Sequence, residues 1–156
     1  MLPLMLILTM FSAVALGVVY FYKTLPVTGT LKGNADFKFF STSDCTGAEK
    51  TAIAIGNIFY GMPGQTFEVW IKNVGTASYN VYWKDDLAIT GMTATMQYAV
   101  GPIPVTALTG AWTEDTMTVV LPAGQSIYAR LTITPPSTPG AEVPISYTLT
   151  FEARSG

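Results

Sequence analysis

The first 22 residues, MLPLMLILTMFSAVALGVVYFY, carry no charged side chain, and the first charge in the chain is Lys23. As a helix this run would be about 33 Å long at roughly 1.5 Å per residue, enough to cross a bilayer core of about 30 Å. About twenty apolar side chains, each stabilised by roughly 1.5–3 kcal/mol on burial, cannot be left in water. The chain therefore belongs in a membrane, in an assembly, or first in one and then in the other. Pro3 is harmless in a first helical turn. Pro26 disfavours the helical region for Leu25, so the helix is expected to end near Lys23 or Thr24. The domain reading is a hydrophobic N-terminal helix over 1–24, a hinge or linker over 25–34 that bends at Pro26, Gly29 and Gly33, and a β domain over 35–156.

The flanks of the run bear on its role. A cleaved secretory signal should have a basic start and an apolar stretch of only about 7–15 residues; this run has no basic start and is longer. A plain membrane anchor fits the length, but positive charge normally stays on the cytoplasmic side. Here the flanking cations, Lys23 and Lys32, lie after the run, which would keep the β domain in the cytoplasm. The conflict disappears if a short basic leader preceded Met1 and was removed, and that processing is the expectation. Ala13 and Gly17, with Ser12 beside them, form a small-xxx-small pair that lets helix backbones approach closely. Small residues are also frequent in any membrane span, so the pair alone does not separate self-packing from lipid contact.

Composition excludes several classes of function. Eight Lys+Arg against ten Asp+Glu give a net charge of −2, which offers no basic stripe for nucleic acid. With no His and one Cys, there is no internal disulfide, no His-ligated metal and no imidazole-based triad. A blue-copper site, which uses His ligands, is excluded on the same ground. No enzyme activity and no cofactor are expected. Asp85-Asp86 and Glu114-Asp115 are carboxylate pairs in expected loops, but calcium takes six to eight oxygens and neither pair has an EF-hand spacing. They read as solvated turns. Cys45 reads as an inert small residue. Trp70, Tyr79, Tyr82, Trp83 and Tyr98 are divided between a core role and outward contacts, with a sugar-binding face as the sharper alternative. The chain has no N-x-Ser/Thr sequon, so any glycan would be O-linked.

From residue 35 onward the apolar residues alternate with polar ones and are interrupted about every ten residues by Gly, Pro, Asn or Asp, the pattern of a sandwich or barrel of seven to nine strands. Period two is clearest in 66–72 (Phe67, Val69, Ile71), 78–83 (Tyr79, Val81, Trp83), 127–134 (Ile127, Ala129, Leu131, Ile133) and 145–152 (Ile145, Tyr147, Leu149, Phe151). Weaker candidates are 36–40, 52–59, 93–100, 103–108 and 116–121. The alternation runs through the last strand, so 35–156 is expected to close its own core and fold without the residues before it.

The stretch Cys45-Thr46, Ile55-Gly56-Asn57-Ile58, Gly61-Met62-Pro63-Gly64-Gln65-Thr66 and Val69-Trp70-Ile71-Lys72-Asn73-Val74-Gly75 resembles the signature of immunoglobulin-like sandwich domains in archaeal surface proteins. Leu121-Pro122-Ala123-Gly124-Gln125-Ser126, followed by two alternating strands around a Pro-rich loop, resembles the C-terminal half of such domains. Joined to a charge-free N-terminal helix, the whole chain is similar to archaeal type IV pilins and their archaellin relatives. It departs from many pilins at the fifth position, where Met5 replaces a glutamate.

The resemblance implies a mainly β protein with an N-terminal helix and an antiparallel Ig-like β-sandwich. It also implies a structural role, as the subunit of an extracellular helical homopolymer used for adhesion, membrane-inserted before assembly. Leu4, Leu6, Leu8, Phe11, Ser12, Ala13, Leu16, Gly17, Val18 and Phe21 would then pack the filament core. The alternatives are a single-copy membrane-anchored Ig-like binding domain and the archaellin of a swimming filament.

Overall fold

The computed structural model describes residues 24–32, 37–59, 61–86, 90–137 and 145–155. The helix expected over 1–24, with its packing residues from Leu4 to Phe21, lies outside them as far as Lys23, and so does Gly33. The described chain is mainly β. Ten strands run β1 (Thr24–Lys32), β2 (Phe37–Phe40), β3 (Ala52–Phe59), β4 (Gln65–Asn73), β5 (Tyr79–Asp85), β6 (Thr93–Gly101), β7 (Gly110–Trp112), β8 (Val119–Leu121), β9 (Ser126–Thr134) and β10 (Ile145–Ser155). They make two five-stranded sheets, sheet A in the order β3-β1-β10-β5-β8 and sheet B in the order β2-β4-β9-β6-β7. Every pairing is antiparallel except that of β1 with β10.

The alternating strands supply the core. On β9, Ile127, Ala129, Leu131 and Ile133 are all fully buried, as are Ile71 on β4 and Val81 on β5. One cluster joins these to Trp83, Leu149 and Phe151 of sheet A and to Phe37, Phe39, Met96 and Trp112 of sheet B. Phe151 sits where the sheets meet, with ring centroids 5.7 Å from both Phe39 and Trp112. The indole nitrogens in this cluster are satisfied: Trp83 Nε1 donates to Trp112 O at 2.9 Å, and Trp112 Nε1 donates to Met117 O at 2.9 Å. Such bonds make large buried aromatics affordable, since an unpaired buried donor costs about 1–3 kcal/mol.

Three sequence expectations are corrected. The segment 25–34 is not a linker over the part described, because residues 24–32 form β1, an inner strand of sheet A. Proline and glycine disguise it. Pro26 has no N–H to give to a ladder, but among the described residues β1 pairs with β3 alone at Thr24–Pro26, and the ladder to β10 begins at Val27↔Ile145. Pro26 thus sits where a missing donor is tolerated. Ile103–Leu108 is not a strand. Pro102 and Pro104 deprive it of ladder donors, and it lies across the outer face of sheet B, where Ile103, Val105 and Leu108 pack on Phe40, Cys45, Trp70 and Tyr128. The third correction concerns two short strands: 116–121 contributes only Val119–Leu121, and the three-residue β7 carried no sequence signal.

The position of β1 argues against the expectation that 35–156 folds alone. β3 has no ladder partner but β1 among the described strands. Removing β1 therefore strands β3 and exposes one side of β10. A chain of residues 35–156 is expected to aggregate or remain unfolded, whereas 24–156 folds. A synthetic peptide of residues 24–32 should partly restore the β circular dichroism signal of the shorter chain. A folded, monomeric 35–156 in size-exclusion chromatography would contradict this reading.

Candidate functional site

The registers give the sandwich two poles. Thr24 pairs with Phe59, and Gln65, Thr134 and Thr93 begin or end their strands at the same pole. At the opposite pole Phe37 pairs with Asn73, Tyr79 with Ser155 and Ser126 with Gly101. The apolar run 1–22 enters the fold at the first pole, with only Lys23 between Tyr22 and the first paired residue, Thr24. Of the three expected hinge residues, Pro26 and Gly29 belong to β1, with Gly29 flanked by Ile53 on one side and Tyr147 on the other. This root of the run is the candidate functional site.

The loops around the root are closely fitted. Gly61 N donates to Pro136 O at 2.9 Å, and Pro135 and Pro136 are buried. Gly64 lies so close to β9 that a Cβ there would meet Thr134 Oγ1 at 2.8 Å and Thr132 Cγ2 at 2.9 Å; any larger residue would have to push these two threonine side chains aside. The P-G turn that contributed to the sequence resemblance thus has a packing reason.

At the far pole the K-N-x-G turn is tied by one side chain. Asn73 is fully buried. Its Nδ2 donates to Ala77 O at 2.8 Å and Leu121 O at 3.2 Å, while its Oδ1 accepts from Gly75 N at 2.9 Å. Its backbone N donates to Gln125 O, and its backbone O accepts from Gly124 N. Asn73 therefore joins the β4–β5 turn to β8 and to the turn before β9, across both sheets.

Each sheet also carries a tyrosine–glutamate–cation group. On sheet B, Tyr128 Oη donates to Glu68 Oε1 at 2.5 Å, and Arg130 reaches the same oxygen through Nη2 at 2.9 Å and Nε at 3.1 Å. Trp70 stacks on Tyr128, with centroids 4.7 Å apart and planes inclined by 6°, and its Nε1 donates to Val105 O at 2.8 Å. On sheet A, Tyr82 and Lys84 both contact the Glu152 carboxylate. The hydrogen bond from Tyr128, with help from Arg130, holds the Glu68 carboxyl below the usual carboxylate range. Burial, followed by the bond to Glu68, pushes the Tyr128 hydroxyl up.

None of the five aromatics singled out in the sequence is exposed: Trp70, Tyr82 and Trp83 are buried, and Tyr79 and Tyr98 are half-buried against the core. They provide no open stacking platform. Glu114 Oε1 accepts from Asp85 N at 2.9 Å and Asp86 Oδ1 accepts from Thr148 N, so two of the paired acids serve the backbone. Among the described residues no three His, Cys, Asp or Glu side chains converge as a metal-ligand group. Cys45 is buried under the 103–108 segment, and burial pushes its thiol up, away from the reactive thiolate. Sequence reasoning missed the Glu68–Tyr128–Arg130 group. Its only signal was three polar-face residues that become neighbours once β4 and β9 pair in the observed register.

Neither a scan of protein-family models nor a search of curated proteins finds a match to this chain.

The Glu68 group gives a pH signature. A carboxylate whose folded pKa is lowered stabilises the fold above its unfolded value of about 4.3, and that stability is lost as pH falls through the lowered folded value. Asp44, held low by the Thr42 hydroxyl and then by Thr46, acts in the same direction. The thermal midpoint of the native chain is expected to fall as pH is taken from about 6 to about 3. Glu68→Gln should show a shallower decline, with the Asp44 part remaining. Parallel declines in scanning calorimetry would show that Glu68 is not coupled to folding.

Proposed function

We propose that this chain is the structural subunit of an extracellular helical filament of the archaeal type IV pilus kind. The observation that carries the reading is the charge-free run Met1–Tyr22 leading, one residue later, into a paired strand of a sandwich. In this reading residues 1–24 begin as a helix, the last of them passing into β1. Copies of the helix bundle in the filament core, and Ig-like sandwiches form an outer sheath that makes surface contacts. The Ig-like assignment is supported by two packed, largely antiparallel sheets that enclose a buried tryptophan, Trp83, as sandwiches of that kind do. Assembly moves the helix from lipid into a protein bundle of similar polarity, so leaving the membrane does not expose it to water. A repeated heterologous contact whose rotation does not close makes a helical filament. The role needs no catalysis and no cofactor.

The packed core is tested by placing a charge within it. Leu8→Lys and Ala13→Glu are each expected to abolish filaments in negative-stain micrographs of material sheared from cells, while the purified variants retain the β circular dichroism spectrum. Each charge costs about 2.5–3.5 kcal/mol at the centre of an apolar helix environment, and the cost recurs in every subunit. Normal filament yield from either variant would overturn the bundle.

A further inference from the structure

We infer that sheet A is a tension clamp, which holds the N-terminal run to the sandwich by loading two strand ladders in shear. The inference rests on residues 1–22 being the tether of the domain, which holds for a filament subunit and for a membrane-anchored domain alike. A tether must pass any pull on the sandwich into the fold, and here it does so through β1.

The direction of the strands decides how that pull is shared. β1 and β10 are parallel over six pairs, Val27↔Ile145 to Lys32↔Thr150, so the start of β1 and the end of β10 lie at opposite poles. A force that draws Thr24 one way and the far pole the other runs along the strands. It stresses the hydrogen bonds of the β10 ladder together, because those bonds, slanted but evenly spaced, join the two strands along their whole overlap. On its other side β1 is held by β3 over seven pairs, Thr24↔Phe59 to Thr30↔Ala52. Val27, Thr28, Gly29 and Thr30 take part in both ladders. The extra residue of β3, Ile55, falls between Ala54 and Gly56 opposite the Val27–Thr28 step. It interlocks the β3 register, since sliding β1 would have to move the bulge. β10 passes the load on through its seven pairs with β5.

An arrangement in which the first strand met only its antiparallel hairpin partner would open pair by pair from the root. In this fold a force applied between Thr24 and Phe59, paired at the same pole, acts in that weak direction. Nothing in the proposed filament or anchor applies such a force, because the exposed body of the sandwich lies on the far side of the root.

The test is single-molecule pulling of the full chain in detergent micelles with two attachment geometries. In the first, handles at Met1 and Gly156 load β1 and β10 in shear. In the second, handles at Met1 and at Met62→Cys load β1 against the end of β3; Met62 is exposed, whereas the native Cys45 is buried and does not compete for the label. The first geometry is expected to rupture in one event at a force several-fold higher than the second, which should open gradually. Forced rupture reports the unfolding barrier along the pulled direction, so equal forces in the two geometries, or a lower force in the first, would overturn the clamp. Pulling is done on single molecules, so it stands whether or not Ala13→Glu abolishes filaments, and failure of the clamp is distinct from failure of the filament reading.

Discussion

Sheet A depends on the insertion of β1 between β3 and β10. An inner strand satisfies backbone donors and acceptors on both sides, and an unpaired buried backbone group costs about as much as a lost hydrogen bond. Because β3 pairs only with β1 among the described strands, and β10 is the bridge to β5 and β8, one strand next to the apolar run carries the integrity of a whole sheet. The charge-free run 1–22 and the strand that completes the sheet are therefore separated along the chain by one residue, Lys23.

Beyond its apolar core, the sandwich is braced by a few polar groups. Asn73 satisfies carbonyls of two segments and an amide of its own turn, so it closes the far pole without apolar burial. Glu68, Tyr128 and Arg130 brace β4 against β9 on the outer face. The sheet edges are blunted in different ways. β7 and β8 are three residues long, β2 has four with an exposed Lys38, and β3 carries the bulge at Ile55. Short, charged or bulged edges resist uncontrolled pairing with other chains, which matters for a protein read as working at high local concentration.

The alternating strands were legible because a face turned to the core leaves a period of two: Val69 and Ile71 of β4, Val81 and Trp83 of β5, Ile127 to Ile133 at every second position of β9, and Leu149 and Phe151 of β10 all lie in the core cluster. The elements that escaped did so for identifiable reasons. Pro26 and Gly29 look like linker punctuation, yet the first lies outside the doubly paired stretch and the second needs only backbone to pair. β7 is too short to show a period. Trp70 and Tyr128 occupy the polar face of their strands and are nonetheless buried, because the 103–108 segment folds over them, a long-range event that no local pattern announces. At the root, the sequence marked where the apolar run ends but not what it is joined to, since the partners of β1 lie 22 or more residues away along the chain.

Backbone amide hydrogen exchange of the full chain in detergent micelles reports whether β1 is inserted between β3 and β10. If β1 is an inner strand, the amides of Val27 to Thr30 that donate within sheet A exchange as slowly as those of Ile127 to Ile133 in the middle of sheet B, since both open only with the sandwich as a whole. Exchange of Val27–Thr30 at the rate of an unstructured linker, with β9 still protected, would show that β1 is not part of the folded sheet and would contradict the account.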